Sequence, residues 1–263
     1  MQRNMNVLAA SLIVLAAGCG KSAQEDGPAP AKAPGLMLFV GAGIRPPVDE
    51  LAHVFSEERG VEVMLDYAGS EVLINKIKLS KSGDIYMPGD KYYVDLAAEA
   101  GLIRSQAPVC YFVPTILVRK GNPKGIAGLA DLVKPEIGLG LGDARACAIG
   151  RTSEAVFEKN NIPWSDVERN LKFQSLTVNE LGMQIQAGSL DAVIVWDAVA
   201  AQYAKHGDEV PIPPGQNVIS TVDAGVLAFS EQPAVAQQFI DLALSDRGRE
   251  IFTRHGYRVE PPK

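Results

Sequence analysis

What this 263-residue sequence has little of narrows its role first. Three cysteines are too few for a disulfide scaffold, and three scattered histidines lack the spacings of zinc sites. Positive charge is not in excess: 25 basic against 31 acidic side chains leave −6, which excludes non-specific nucleic-acid binding. No apolar run reaches the roughly 20 residues that span a bilayer, and no repeat of solenoid period is present. Catalytic signatures are missing as well. There is no Gly-x-Ser-x-Gly elbow, no His-Glu-x-x-His and no Walker loop. Pro46 stands where a dinucleotide fingerprint needs its third glycine, and Gly138, Gly140 and Gly142 are wrongly spaced for one. No carboxylate pair stands out as acid and base. The sequence predicts a binding protein without a cofactor rather than an enzyme.

What is there begins with an export signal. Arg3 precedes an apolar stretch, Val7 to Ala17, of secretory h-region length. It ends in Leu15-Ala16-Ala17-Gly18-Cys19, which resembles the bacterial lipobox and implies cleavage after residue 18 and acylation of Cys19. The alternative is a soluble export signal with an incidental cysteine. Residues 20–35 (GKSAQEDGPAPAKAPG) have no apolar periodicity and read as a tether. At about 3.1 Å per residue it reaches roughly 50 Å. Loss of the signal removes one positive charge, Arg3, and leaves the side chains of the remainder at about −7. Such a body needs the lipid to stay at an anionic membrane.

The rest, with 47% hydrophobic residues over the chain, alternates strand and helix patterns. LMLFV (Leu36–Val40) reads as a buried strand, and Pro46-Pro47 opens a helix through Val48, Leu51, Ala52 and Phe55 to Gly60. A strand at Val61–Leu65, a helix from Ser70, a short strand at Asp84–Met87 and a helix capped by Asp90 follow. Tyr111–Arg119 is a long extended segment in which Pro114 suits a crossing or an edge. A second unit has strands at Ile137–Leu141, Leu171–Phe173 and Ala192–Val195, with helices from about Ile149, Glu180 and Asp197. Asn217–Phe229 is extended again, and helices at Ala234–Leu244 and Gly248–His255 close the chain. Two α/β units joined by two extended segments predict two lobes with a double-strand hinge. The first covers 36–113 plus 222–263, and the second 114–221.

Ligands of open α/β sheets bind at the carboxyl ends of strands, where helix N-termini offer unpaired N–H groups to anions. Four strand-to-helix turns qualify: Gly41-Ala42-Gly43, Ala68-Gly69-Ser70, Cys147-Ala148-Ile149-Gly150 and Val178-Asn179-Glu180. Arg45 and Arg151 each follow a glycine turn and either bind an oxyanion or are solvated. Thr177 and Glu180 form a capping-box pattern. Asp84 and Asp90 suit turns and caps. Cys110 and Cys147 are either bridged or separate thiols, and Cys147 is also a candidate soft ligand for a species such as arsenite.

From Leu36 to Tyr257 the chain resembles the periplasmic molybdate-binding proteins of ABC transporters, in a divergent lipoprotein branch. The segments that carry this are LFVGAGIRPPVDELAHVFSEERGVEV, DYAGSEVLINKI, GDIYMPGD, VRKGNPKGI, GLGDARACAIGRTSE, TVNEL, DAVIVWDA and FIDLALSDRGREIFTRHGY, in that order. The resemblance implies an α/β, two-lobed type II periplasmic-binding fold that closes on a tetrahedral oxyanion, held by hydroxyls and backbone N–H groups. The family's first hydroxyl falls on Gly43, beside Ala42, and its second on Ser70. Its backbone donors fall near Ile149, within Ala148–Gly150, and near Glu180. The family's tyrosine donor falls on Trp196. Two of three side-chain donors are therefore changed. Glu180 either caps its helix by the capping-box pattern or, as the resemblance implies through some tungstate-binding relatives, coordinates a metal oxyanion. The function so implied is a monomeric lipoprotein on the periplasmic side of a bacterial membrane, passing molybdate or tungstate to an inner-membrane ABC permease. The alternatives are a binding protein for a small organic anion or another oxyanion, and a sensory or adhesive lipoprotein.

Overall fold

The computed structural model describes residues 35–262. The export signal over 1–18, Cys19 and all of the tether but Gly35 lie outside the described residues.

Seven strands and α-helices, with a 3-10 turn at Ala42–Ile44 after the first, come first: β1 (Leu36–Gly41), α1 (Arg45–Arg59), β2 (Val63–Ala68), α2 (Ser70–Ser80), β3 (Ile85–Met87), α3 (Lys91–Glu99) and β4 (Ile103–Phe112). The chain then crosses to β5 (Pro114–Arg119), β6 (Leu139–Gly142), α4 (Ala148–Lys159), α5 (Trp164–Asn170) and β7 (Leu171–Ser175). The same half continues with α6 (Val178–Gln186), β8 (Ala192–Trp196), α7 (Asp197–Gln202) and β9 (Gly207–Pro211). It returns as β10 (Ser220–Leu227) and ends in α8 (Pro233–Leu244) and α9 (Asp246–Arg254).

The strands form two five-stranded sheets, ordered β2-β1-β3-β10-β4 and β7-β6-β8-β5-β9. Each sets three parallel strands beside two that complete the sheet through antiparallel pairing, and each is packed with its own helices as a lobe. Only Val113 separates β4 from β5, whereas the return from β9 to β10 runs through a single 3-10 turn at Pro214–Gln216. These are the two crossings of the hinge.

Local sequence explains most of this. In β1 every residue but Met37 is buried, as a strand flanked by β2 and β3 and covered by helices requires. Helix α1 buries Val48, Leu51, Ala52 and Phe55, starts on Pro46-Pro47 and stops at Gly60 in the left-handed region (φ 66°). Asp90 caps α3 by accepting from the Tyr92 N–H (2.8 Å), and Asp84 ties β1 to the segment after β10 through Met37 N–H and the Ser230 hydroxyl.

Differences from the sequence reading have physical causes. Of the two places the sequence allowed it, Pro114 takes the crossing and not an edge: β5 lies between β8 and β9, and the proline is tolerated as its first residue. The extended stretch expected over 217–229 narrows to β10, which pairs with β4 from Ser220 onward. Cys110 and Cys147 are separate buried thiols. Among the described residues, no helix is long and apolar enough to cross a membrane.

Candidate functional site

The carboxyl ends of β1, β2, β3, β6, β7 and β8 face one another across the two lobes, and their turns enclose a small cavity. About 20 Å³ of it is open to the centre of a water molecule, room for a solute of a few heavy atoms. Gly41, Ala42, Gly43, Ala68, Gly69, Ser70 and Gly89 line it from the first lobe. Cys147, Ala148, Ile149, Thr177, Val178 and Trp196 line it from the second, and Phe112 at the hinge completes the wall.

Four helices begin at this cavity; α7, behind Trp196, turns its Ala198 N–H to Asp197 Oδ1 (2.9 Å), and the other three have no side-chain cap. The N-cap residues are Gly69 for α2, Cys147 for α4 and Thr177 for α6, all without a side-chain cap bond. Leading amides of a helix have no intrahelical acceptor and carry the positive end of its dipole. Thr177 has the right hydroxyl for a cap but gives its proton to Glu180 (3.0 Å). The Glu180 carboxylate also accepts from Leu176 N–H (3.1 Å), and its two bonds fix the turn. Glu180 is thus held by its own turn and does not line the cavity.

Side-chain donors are few and neutral. Ser70 Oγ accepts from Gly89 N–H (3.1 Å), which leaves its own proton free. Trp196 is only 2% exposed and stacks on Phe112 (centroids 4.7 Å apart, 19° between planes). Its indole offers one N–H and no acceptor. The Cys147 thiol lies 3.7 Å from the Ser175 carbonyl, and burial pushes its pKa up to about 12, so it is a neutral wall group at physiological pH. Among the described residues, no charged side chain lines the cavity.

Two glycines are dictated by close approach. A Cβ on Gly43 would lie 2.9 Å from Val178 Cγ1 and 3.1 Å from Trp196 Cδ1. Val178 and the indole therefore fill the volume a side chain at position 43 would need. A Cβ on Gly69 would lie 2.4 Å from the Ala146 carbonyl and 2.5 Å from that of Leu176, both in the other lobe. Beside it, Glu71 N–H donates to Ala146 O (3.1 Å), so the lobes meet backbone to backbone here.

Of the residues singled out in the sequence, Ala42, Gly43, Gly69, Ser70, Cys147, Ala148, Ile149 and Trp196 are brought together. Five others are placed off the cavity wall. Gly150 turns its N–H to Cys147 O (3.1 Å). Arg45 stacks on Tyr67 (3.8 Å to the ring centre) and Arg151 on Tyr92 (3.6 Å), so both guanidinium groups are engaged outside the wall. Asn179 accepts Tyr203 OH on its carbonyl (3.1 Å), and its Oδ1 is buried without a protein partner. Glu180 is the fifth. Gly41, Ala68 and Val178 lie in the turns the sequence reading named, Thr177 was read only as part of a capping box, and Gly89 and Phe112 were passed over as wall residues. Gly89, between the third strand and the Asp90 cap, carried the one usable signal.

Comparison with known proteins fits this geometry. The family model described as bacterial extracellular solute-binding protein matches residues 36–258. A putative binding protein of Haemophilus influenzae is 28% identical over 222 residues, 84% of this chain and 90% of that one. The molybdate-binding protein ModA of Mycobacterium tuberculosis is 24% identical over 256 residues, 95% of each chain. Among solved structures, the periplasmic molybdate-binding protein of Azotobacter vinelandii superimposes with a TM-score of 0.72 at 15% identity, over 87% of this chain and all of that one. With two lobes closed on an uncharged ring of helix N-termini, and a family match across nearly all of the described residues, the chain belongs to the bacterial extracellular solute-binding proteins and has their two-lobed type II fold.

Proposed function

We propose that this protein is a lipid-anchored extracytoplasmic binding protein that takes a small, fully ionised oxyanion of the molybdate or tungstate type between its lobes and delivers it to an ABC permease. The observation that carries the reading is the convergence of three uncapped helix N-termini on a cavity that, among the described residues, has no charged wall residue. Such a wall stabilises negative charge through fixed dipoles, which need no reorganisation when the lobes close. It also discriminates by proton content. The cavity wall carries no carboxylate to accept a proton from the ligand, so a protonated anion such as hydrogen phosphate leaves a donor unpaired at a cost of about 1–3 kcal/mol. The small volume favours compact anions over phosphosugars and other large ones. The resemblance along the chain to molybdate-binding proteins supports the transition-metal oxyanions within this class, and the lipobox-like Leu15–Cys19 supports the anchor.

The stacked Phe112–Trp196 wall favours one second reading, a small organic anion with a flat apolar part. A thermal-shift panel of molybdate, tungstate, sulfate, phosphate, arsenite and small carboxylates separates the two. Binding raises the melting temperature by linkage, and the reading expects the largest rise with molybdate or tungstate. A response confined to carboxylates would replace it with the second, and no response to any oxyanion would remove it.

A further inference from the structure

We propose that Arg151 and Thr152, adjacent on α4 of the second lobe, form with Tyr92, Ser220 and Asp90 of the first lobe a latch that sets how long the closed cleft stays shut. This rests on the anion-binding reading of the cleft, but its key contacts lie outside the cavity wall.

The latch has an exposed half and a buried half. Outside, the Arg151 guanidinium carbon sits over the Tyr92 ring, 3.6 Å from its centre, and joins α4 of one lobe to α3 of the other. Inside, Thr152 and Ser220 are 3% and 2% exposed, and their hydroxyl oxygens are 3.3 Å apart. Ser220 donates to Asp90 Oδ2 (2.6 Å), so its proton is committed and Thr152 is the donor in the other bond. Asp90 Oδ1 in turn accepts Tyr92 N–H (2.8 Å) and caps α3. Hence a single directional chain runs from α4 of the second lobe, through the first residue of the returning hinge strand, to the N-terminus of α3. The ring under Arg151 belongs to the residue whose amide that cap holds.

Position on α4 gives the latch its leverage. Ala148 and Ile149 open this helix at the cavity, and Arg151 and Thr152 follow within its first two turns. Further along, Lys159 and the following Asn160 hold the carbonyls of Asn217 and Gln216 in the returning crossing (2.6 and 2.8 Å). The helix that presents amides to the anion is thus the one fastened across the cleft. Apparent affinity scales with the fraction of molecules in the binding-competent closed state, so contacts that favour closure tighten binding without touching the ligand.

The test uses the mature full-length chain with sodium molybdate as probe. Arg151→Ala and Tyr92→Ala are each expected to raise the dissociation rate about 3- to 10-fold. Their combination should do no more than either alone, and Tyr92→Phe, which keeps the ring, should behave as the unsubstituted protein. Thr152→Val should act like Arg151→Ala. Without any probe, spin labels placed one on each lobe should report a longer mean separation in Arg151→Ala and Thr152→Val. Unchanged separations would overturn the latch, and so would additive effects of Arg151→Ala and Tyr92→Ala. A loss of affinity in Arg151→Ala with unchanged separation would instead make Arg151 a direct ligand contact. If the unsubstituted protein binds neither molybdate, tungstate nor sulfate, the anion reading fails, and the label separations still decide the latch.

Discussion

Helices α2, α4 and α6, whose N-cap residues line the cleft, treat their first amides differently from α3 and α9. Helix α3, which starts beside the wall residue Gly89, and α9 are capped by Asp90 and Ser245, which accept from Tyr92 N–H and Gly248 N–H, whereas α5 and α7 have no side-chain cap bond. Helices α1 and α8 carry proline in the first turn, which removes a donor rather than satisfying it. At the cleft, α2, α4 and α6 do neither; their N-caps are a glycine, a neutral thiol and a threonine whose hydroxyl is turned to Glu180. A missing cap costs about 0.5–2 kcal/mol per helix. Three such omissions at one place are a stability cost concentrated where an anion can supply the missing acceptors.

Filling one of these N-termini breaks the contrast most severely. Cys147→Asp puts a carboxylate at the N-cap of α4, where it stabilises the helix and faces any bound anion. Like charges so placed cost several kcal/mol, so calorimetric titration with molybdate should find affinity lower by at least about 1000-fold, while the ligand-free melting temperature holds or rises. Next comes Gly69→Ala, whose added methyl meets two carbonyls of the opposite lobe but no strained backbone of its own (φ −68°). Overpacking of this kind costs about 1–3 kcal/mol. Because the clash exists only when the lobes are shut, the loss, about 5- to 150-fold, should fall on affinity and hardly on ligand-free stability. Ser70→Ala deletes one neutral hydroxyl donor, and a hydrogen bond to a charged acceptor is worth about 1.5–3 kcal/mol, so a 10- to 150-fold weakening is expected in the same titration. Ser245→Ala sharpens the comparison from the other side. It should lower thermal stability by about 0.5–2 kcal/mol and leave molybdate affinity unchanged. A fall in affinity there would mean that the cleft is not energetically separate from the capped ends.

The alternation of strand and helix was legible because each buried strand is a short apolar run between turn residues, and because α1, α3 and α4 carry their own starts or stops. What was not legible depends on partners distant in sequence. The first half of β4 (Ile103 to Ala107) is largely exposed and polar, and is a strand only because β10 pairs with it. Strand β9, with Gly207, Asp208, Glu209 and Pro211, looks like a loop until β5 is laid beside it. Short α5 begins behind Pro163 with seven residues and gives no periodicity to read. At the cleft, glycine and serine turns pointed to the right strand ends. The arginines were harder: the rings that occupy Arg45 and Arg151 lie 22 and 59 positions away along the chain. Phe112 gave no sign of itself, since only the hinge brings it against Trp196.

That stacked indole has a practical consequence. The protein has two tryptophans, and Trp164 lies well away from the cleft, among the residues around α5. Trp196 is the one enclosed by both lobes, so the colour and intensity of its ultraviolet emission should follow loading and unloading directly. Substituting Trp164 with Phe would leave a molecule whose light reports a single event, with no dye attached.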